Sequence, residues 1–220
     1  TQPVAWTTDK HQRQPFGGAS LGDRIRGTSW SQLSGSATTQ RAGEYSLVQY
    51  EITMIPWEVL DTTPIPGGQD ELSLLRRGSE FSIRVAREEL MNSRAHGSEE
   101  ALARIACRRI ADRSAVSVLV GGLGMGFTLA AALRELSSDA EVVTVELLPA
   151  VVAWNRGPLA ELADRPLEDG RVNVVEGDVA ETLYAEKNRF DAILLDVDNG
   201  PEGFTTWEND WLYSKGGLAA

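Results

Sequence analysis

The sequence predicts an α/β protein, a doubly wound parallel sheet preceded by a small β-rich domain. The first sign is the stretch 116–126, Val-Ser-Val-Leu-Val-Gly-Gly-Leu-Gly-Met-Gly. Its apolar, β-branched opening suits a strand buried on both faces. The second is 127–136, where Leu129, Ala132, Leu133 and Leu136 fall at helical spacing and form one apolar stripe. The third is the rhythm that follows. Strand-like runs at 141–146, 171–176 and 191–196 alternate with helical segments at 149–162 and 179–184.

Bulk properties narrow the class. A chain of 220 residues with 42% hydrophobic content can bury a full core. No apolar run approaches a membrane span, and no signal-peptide core stands at the N-terminus, so a cytoplasmic protein without membrane contact is the expectation. The net charge of -11 argues against nucleic acid as a partner and suits a small cationic substrate. The single cysteine, Cys107, reads as a small core residue rather than a nucleophile. No ligand-spaced cluster points to a metal, and His96 alone reads as a loop residue.

Along the chain, residues 1–43 are rich in Gly, Ser, Thr and Gln without apolar periodicity, and are expected to be a disordered extension. Residues 44–95 read as the small β-rich domain. Strand signals lie at 46–55 and 57–60, and the runs 71–75 and 80–85 form a hairpin around Arg77-Gly78. Residues 96–220 make the nucleoside-binding domain. Gly97-Ser98-Glu99-Glu100 opens a helix with Ser98 as its cap and with Leu102, Ile105, Ala106 and Ile110 buried. Pro149 suits the first turn of a later helix.

Glycine spacing sets the ligand class. Gly122-Leu-Gly124-Met-Gly126-Phe127 departs from the dinucleotide pattern G-x-G-x-x-G, because Phe127 holds the place of the last glycine. G-x-G-x-G after a strand is similar instead to the nucleoside loop of S-adenosylmethionine-dependent transferases. The candidate cofactor-binding set is Gly121, Gly122, Gly124, Gly126, Glu146 and Asp178. Glu146 falls about twenty residues after the loop, where a carboxylate can accept from both ribose hydroxyls. Asp178 is placed to accept from an adenine amino group, or to cap the helix that follows; both roles are compatible. The loop Asp196-Val-Asp198-Asn199 offers Asp196 and Asp198 as catalytic carboxylates that hold an amine and take its proton.

Together, Val118-Leu-Val-Gly-Gly-Leu-Gly-Met-Gly, Val145-Glu146, Glu176-Gly-Asp178 and Leu195-Asp196-Val-Asp-Asn-Gly-Pro201 resemble the spermidine/spermine synthase family of aminopropyltransferases. The likeness runs from about Tyr45 to the end of the sequence. It implies a Rossmann-like fold with a small N-terminal β domain, and transfer of an aminopropyl group from decarboxylated S-adenosylmethionine to a polyamine. By the same resemblance Glu146 holds the ribose, Asp178 the adenine, and Asp196 matches the first aspartate of a D-x-x-D loop. Three departures stand beside it. Met125 replaces an acid of the glycine loop, Asn199 falls where the second catalytic acid is expected, and a tyrosine is missing near Ser98.

Two other functions remain open at this stage. One is a methyltransferase using S-adenosylmethionine itself, the other a non-catalytic nucleoside-binding paralogue. The resemblance also implies a further helix and a closing strand pair after 212–220. That points to a truncated sequence or to a partner, such as a second copy of the chain, that completes the sheet.

Overall fold

The computed structural model describes residues 4–7, 33–34, 37–42, 45–50 and 53–197, with side chains over 55–197. The first strands are β1 (Val4–Thr7), β2 (Leu33–Ser34), β3 (Ala37–Ala42), β4 (Tyr45–Tyr50) and β5 (Thr53–Met54). Next come β6 (Glu58–Pro64), β7 (Glu71–Arg77), β8 (Glu80–Val85), β9 (Glu88–Asn92) and helix α1 (Gly97–Cys107). The α/β part continues with β10 (Ser117–Gly121), α2 (Phe127–Glu135), β11 (Glu141–Glu146) and α3 (Pro149–Arg156). It closes with β12 (Val172–Glu176), α4 (Val179–Ala185) and β13 (Ala192–Leu195). Most of the extension expected at 1–43, and everything from Asp198 onward, lies outside the described residues.

The large sheet runs β1-β13-β10-β11-β12, every neighbour parallel. Strand β10 is central because Val118, Leu119 and Val120 leave no face for water, each at 0% exposure. Alternation sends Val118, Val120 and Val142 to one face, with Leu102 of α1, Leu129 of α2 and Val152 of α3. Leu119, Val143, Val145 and Leu195 go to the other, with Val179 of α4 and Phe190. The chain steps outward from β10 through β11 to β12, then returns to β13 on the opposite side of β10. Strand order thus reverses between β10 and β13, where doubly wound sheets open a crevice at their carboxyl ends.

Strands β6-β7-β8-β9 form a separate antiparallel sheet. The hairpin expected at 71–85 is present, turning through Gly78 at φ +61. Strand β9 was not foreseen in the sequence. The inner face of this sheet, Leu72, Leu74, Ile83 and Val85, shares a core with α1 and α2. A polar latch adds to it, the Trp154 indole Nε1 donating to Asp61 Oδ2 at 2.7 Å. Trp154→Phe removes that hydrogen bond and leaves a void where the larger buried ring stood, so it should cost about 2–3 kcal/mol. In a thermal melt that corresponds to a drop of roughly 4–12 °C.

Three local expectations are corrected. The α1 cap is His96 rather than Ser98, whose hydroxyl donates instead to Glu99. Ile105 is 51% exposed, and Ala103 and Cys107 hold the buried places beside Leu102 and Ala106. Burial, with Glu135 nearby, pushes the Cys107 thiol up to about 12, which suits a core residue. The helix expected over 149–162 ends at Arg156 and resumes only as a 3-10 turn at Ala160–Ala163. Pro158 is the cause, because it lacks an N–H and disfavours helical backbone at Gly157.

Candidate functional site

The glycine loop leaves β10 at the point where strand order reverses. Gly122, Gly124 and Gly126 adopt φ of +84, +52 and +83, a region that side chains disfavour. Gly122 is the most constrained, since a Cβ there would stand 2.5 Å from the Asp196 carbonyl oxygen. Gly122→Ala should therefore destabilise the fold by about 2 kcal/mol or more, read as a lowered unfolding midpoint. Gly121 still belongs to β10, where a Cβ would meet Val179 and Leu195 at 2.8 and 2.9 Å. Its lack of a side chain lets α4 and β13 close on the strand.

Glu146 ends β11 and is 8% exposed. Its Oε2 accepts from the Leu123 N–H at 2.9 Å and its Oε1 from the Leu148 N–H at 3.0 Å. The carboxylate thus ties the glycine loop to the start of α3. Burial still outweighs these and neighbouring backbone N–H donors, and holds Glu146 above the usual carboxylate range. The Gly124 and Leu147 N–H groups also act on this carboxylate, so its acceptor positions are largely taken up by the backbone of the loop and the start of α3.

Asn155, 2% exposed, secures the loop from the other side. Its Nδ2 donates to the Gly124 carbonyl at 2.8 Å and to the Val151 carbonyl at 2.9 Å. Nothing in the local pattern of α3 singled it out. Asp178 caps α4, its Oδ1 accepting from the Ala180 N–H at 2.7 Å. It lies just beyond β12, whose Glu176 is in register with Glu146.

Asp196 follows β13, and its N–H donates to the Gly121 carbonyl at 2.8 Å, pinning it beside the loop. Its Oδ2 accepts from the Thr128 hydroxyl at 2.5 Å. Thr128, in the first turn of α2 and 1% exposed, is a second residue the sequence did not flag. Asp198 lies outside the described residues.

A small cleft lies beside the glycine loop and Asp196, and Glu146, Asn155, Asp178 and Thr128 are not among the residues that line it. Leu123, Gly124, Met125 and Phe127 come from the loop and α2, Met91 and Asn92 from β9, Glu99 from α1, and Asp196 from beyond β13. The antiparallel sheet therefore closes one side. A Cβ on Gly124 would stand 2.9 Å from the Met91 methyl, a contact that flexible side chain can relieve, so its positive φ is what calls for glycine here. His96 stacks on Phe127 with ring centroids 4.1 Å apart. Among the described residues, no three His, Cys, Asp or Glu side chains are grouped to hold a metal ion.

Sheet order, glycine loop and strand-end carboxylates define a Rossmann-like α/β domain of the kind used by S-adenosylmethionine-dependent transferases, preceded by a β-rich unit. The chain has the fold of spermidine synthases. It superimposes on a spermidine synthase in complex with the transition-state analogue AdoDATO at TM-score 0.51 and 18% identity, covering 68% of this chain and 50% of that one. For the spermidine synthase of Thermotoga maritima the values are 0.52 and 17%, covering 78% and 58%. The chain thus spans between half and three-fifths of these two structures. A putative O-methyltransferase from Klebsiella pneumoniae also matches, at 26% identity over 47% of this chain and 44% of that one, with a TM-score of 0.37. No family model and no curated protein matches the sequence.

Proposed function

We propose that this chain is an aminopropyltransferase-like enzyme, moving an aminopropyl group from decarboxylated S-adenosylmethionine to a small cationic amine. The observation that carries this reading is the placing of Asp196. Its carboxylate is oriented by Thr128, pinned against the glycine loop, and lines the apolar-walled cleft. Glu146 holds the ribose, Asp178 faces the adenine, and Gly122, Gly124 and Gly126 let the backbone come close to the nucleoside. Gly121 supports them through packing.

Chemically, the acceptor arrives as an ammonium and has no lone pair. Asp196 attracts it, takes one proton and leaves the neutral amine poised. The amine lone pair attacks the CH₂ carbon bonded to the sulfonium. A C–N bond forms, the C–S bond breaks, and its electron pair returns to sulfur, releasing methylthioadenosine. Asp198 is the second candidate carboxylate of this loop.

Met125 favours an alternative, methyl transfer from S-adenosylmethionine, because it puts a buried thioether rather than a charge in the glycine loop. Product identification by mass spectrometry separates the two. The protein would be offered both donors with a panel of amines. Methylthioadenosine formed only when an amine is present is the expected result, and S-adenosylhomocysteine would establish methyl transfer instead. Neither product from folded protein would overturn the catalytic reading.

A further inference from the structure

Buried Asn155 touches the glycine loop at two points. Its Nδ2 donates to the Gly124 carbonyl at 2.8 Å, and its Oδ1 lies against Gly126, where a Cβ would stand 2.9 Å from it. The same Nδ2 donates to the Val151 carbonyl at 2.9 Å, one turn back in α3. Both amide hydrogens are therefore used, and the side chain is held in one orientation.

The backbone between these two contacts is a tight turn. The Gly126 N–H donates to the Leu123 carbonyl at 2.8 Å, and φ is positive at Gly124 but not at Met125, the sign pattern of a type II′ turn. Rotating the central peptide of such a turn, here Gly124–Met125, converts it to type I′ with its ends in place. That peptide is trans, so its carbonyl and its N–H point in opposite directions. By holding the Gly124 carbonyl toward α3, Asn155 turns the Met125 N–H to the other side. Gly124 and Met125 line the cleft there, and Asn155 does not. The other N–H groups of the turn are spent. Those of Gly122 and Gly126 donate to the Val145 and Leu123 carbonyls, and those of Leu123 and Gly124 act on the Glu146 carboxylate. The Met125 N–H has no acceptor among the described residues.

We propose that Asn155 is the positioning residue of the nucleoside loop. Through the Gly124 carbonyl it selects one of two orientations of the Gly124–Met125 peptide, the one that offers the Met125 N–H to the ligand. Asn155 itself touches no ligand. In the rotated orientation a carbonyl oxygen would face the ligand, an acceptor in place of a donor. Met125 would then take positive φ, which a side chain resists, so what Asn155 adds to the bias is one buried hydrogen bond. The proposal rests on the nucleoside reading above and adds to it the residue that sets the loop's polarity.

The test uses the full chain labelled with nitrogen-15 at methionine, whose three amide signals come from Met54, Met91 and Met125. Met125→Leu assigns the one that matters. Methylthioadenosine is the probe, followed by calorimetry and by these signals. In wild-type protein the Met125 signal should move on binding. Asn155→Leu, close in size but without a donor, should displace the Met125 signal before any ligand is added. It should also weaken methylthioadenosine by roughly 2- to 12-fold, the worth of one neutral hydrogen bond. Asn155→Asp carries the test if that variant does not fold. Its neutral carboxyl can donate to the Gly124 carbonyl and its ionised form repels it. The affinity of Asn155→Asp relative to wild type at the same pH should therefore fall as pH rises, and taking that ratio removes the titration of Glu146. A side chain that only filled space would give a flat ratio. Unaltered affinity with an unmoved Met125 signal in Asn155→Leu, or a flat ratio in Asn155→Asp, with methylthioadenosine still bound, would overturn the role of Asn155 alone. Wild-type protein that does not bind methylthioadenosine would overturn the nucleoside reading, and the proposal with it.

Discussion

Asp196→Asn is expected to lower the rate of group transfer by about 10²- to 10⁴-fold, the usual contribution of a positioned general base. Asparagine is nearly isosteric, and its amide oxygen can still accept from the Thr128 hydroxyl, which now meets Oδ2 at 2.5 Å. The Asp196 N–H is backbone, so its bond to the Gly121 carbonyl survives. What disappears is the negative charge and the ability to take a proton from the acceptor ammonium. Methylthioadenosine release at saturating donor, measured beside nucleoside affinity, checks both halves. Turnover at the wild-type level would remove Asp196 as the base. Lost nucleoside affinity would show that it shapes the pocket instead.

Glu146→Ala should be costly twice over. The buried Leu123 and Leu148 N–H groups lose their acceptors, and each unsatisfied donor costs about 1–3 kcal/mol. A drop of roughly 2–6 kcal/mol in unfolding free energy is therefore expected. Affinity for every adenosyl ligand should fall as well, because the ribose loses its acceptor and the loop its anchor. An unaltered affinity for methylthioadenosine in folded variant protein would exclude Glu146 from the site. Glu146→Gln separates the effects, since its amide oxygen can replace one of the two acceptors.

The same residue gives a pH dependence of definite sign. Burial raises the Glu146 carboxyl above its ordinary value, so the folded protein binds this proton more tightly than the unfolded chain. Its contribution to stability is fully present below the unfolded value and is lost as pH rises through the folded one. Ligand binding runs the other way. Ribose hydroxyls need the ionised acceptor, so nucleoside affinity should fall as pH drops through the folded value. Denaturant midpoints and nucleoside affinity across that range, for wild type and Glu146→Gln, measure both slopes. Glu146→Gln should flatten the contribution of this group to each.

Much of the frame was legible in the sequence because it rests on short-range pattern. The run 116–120 is apolar apart from Ser117, so it reads as a strand buried on both faces, and Val118, Leu119 and Val120 are wholly buried. The stripe of Leu129, Ala132, Leu133 and Leu136 is buried as its spacing requires. Gly122, Gly124 and Gly126 all take positive φ. Strand ends could be read because an apolar run stops at an acid, as at Glu146 and Asp196. Where local pattern misled, a local cause is identifiable. Pro158 cut a helix whose apolar spacing continued to Leu162, and Ile105 kept helical spacing on a turn that faces solvent.

The sequence by itself determined which strand is buried on both faces, where the backbone must bend through glycine, and which carboxylates stand at strand ends. Periodicity, steric freedom at Cα and polarity are properties of neighbouring residues. Only the tertiary structure decided what those carboxylates touch. Thr128 meets Asp196 across 68 residues, Asn155 reaches back 31 to the Gly124 carbonyl, and Trp154 bonds Asp61 across 93. Glu99 enters the cleft because α1 packs along α2, and Met91 because β9 lies against the loop. Such pairings come from helices and sheets closing over a common core. The choice of a polar partner across that closure leaves no periodic trace in the chain.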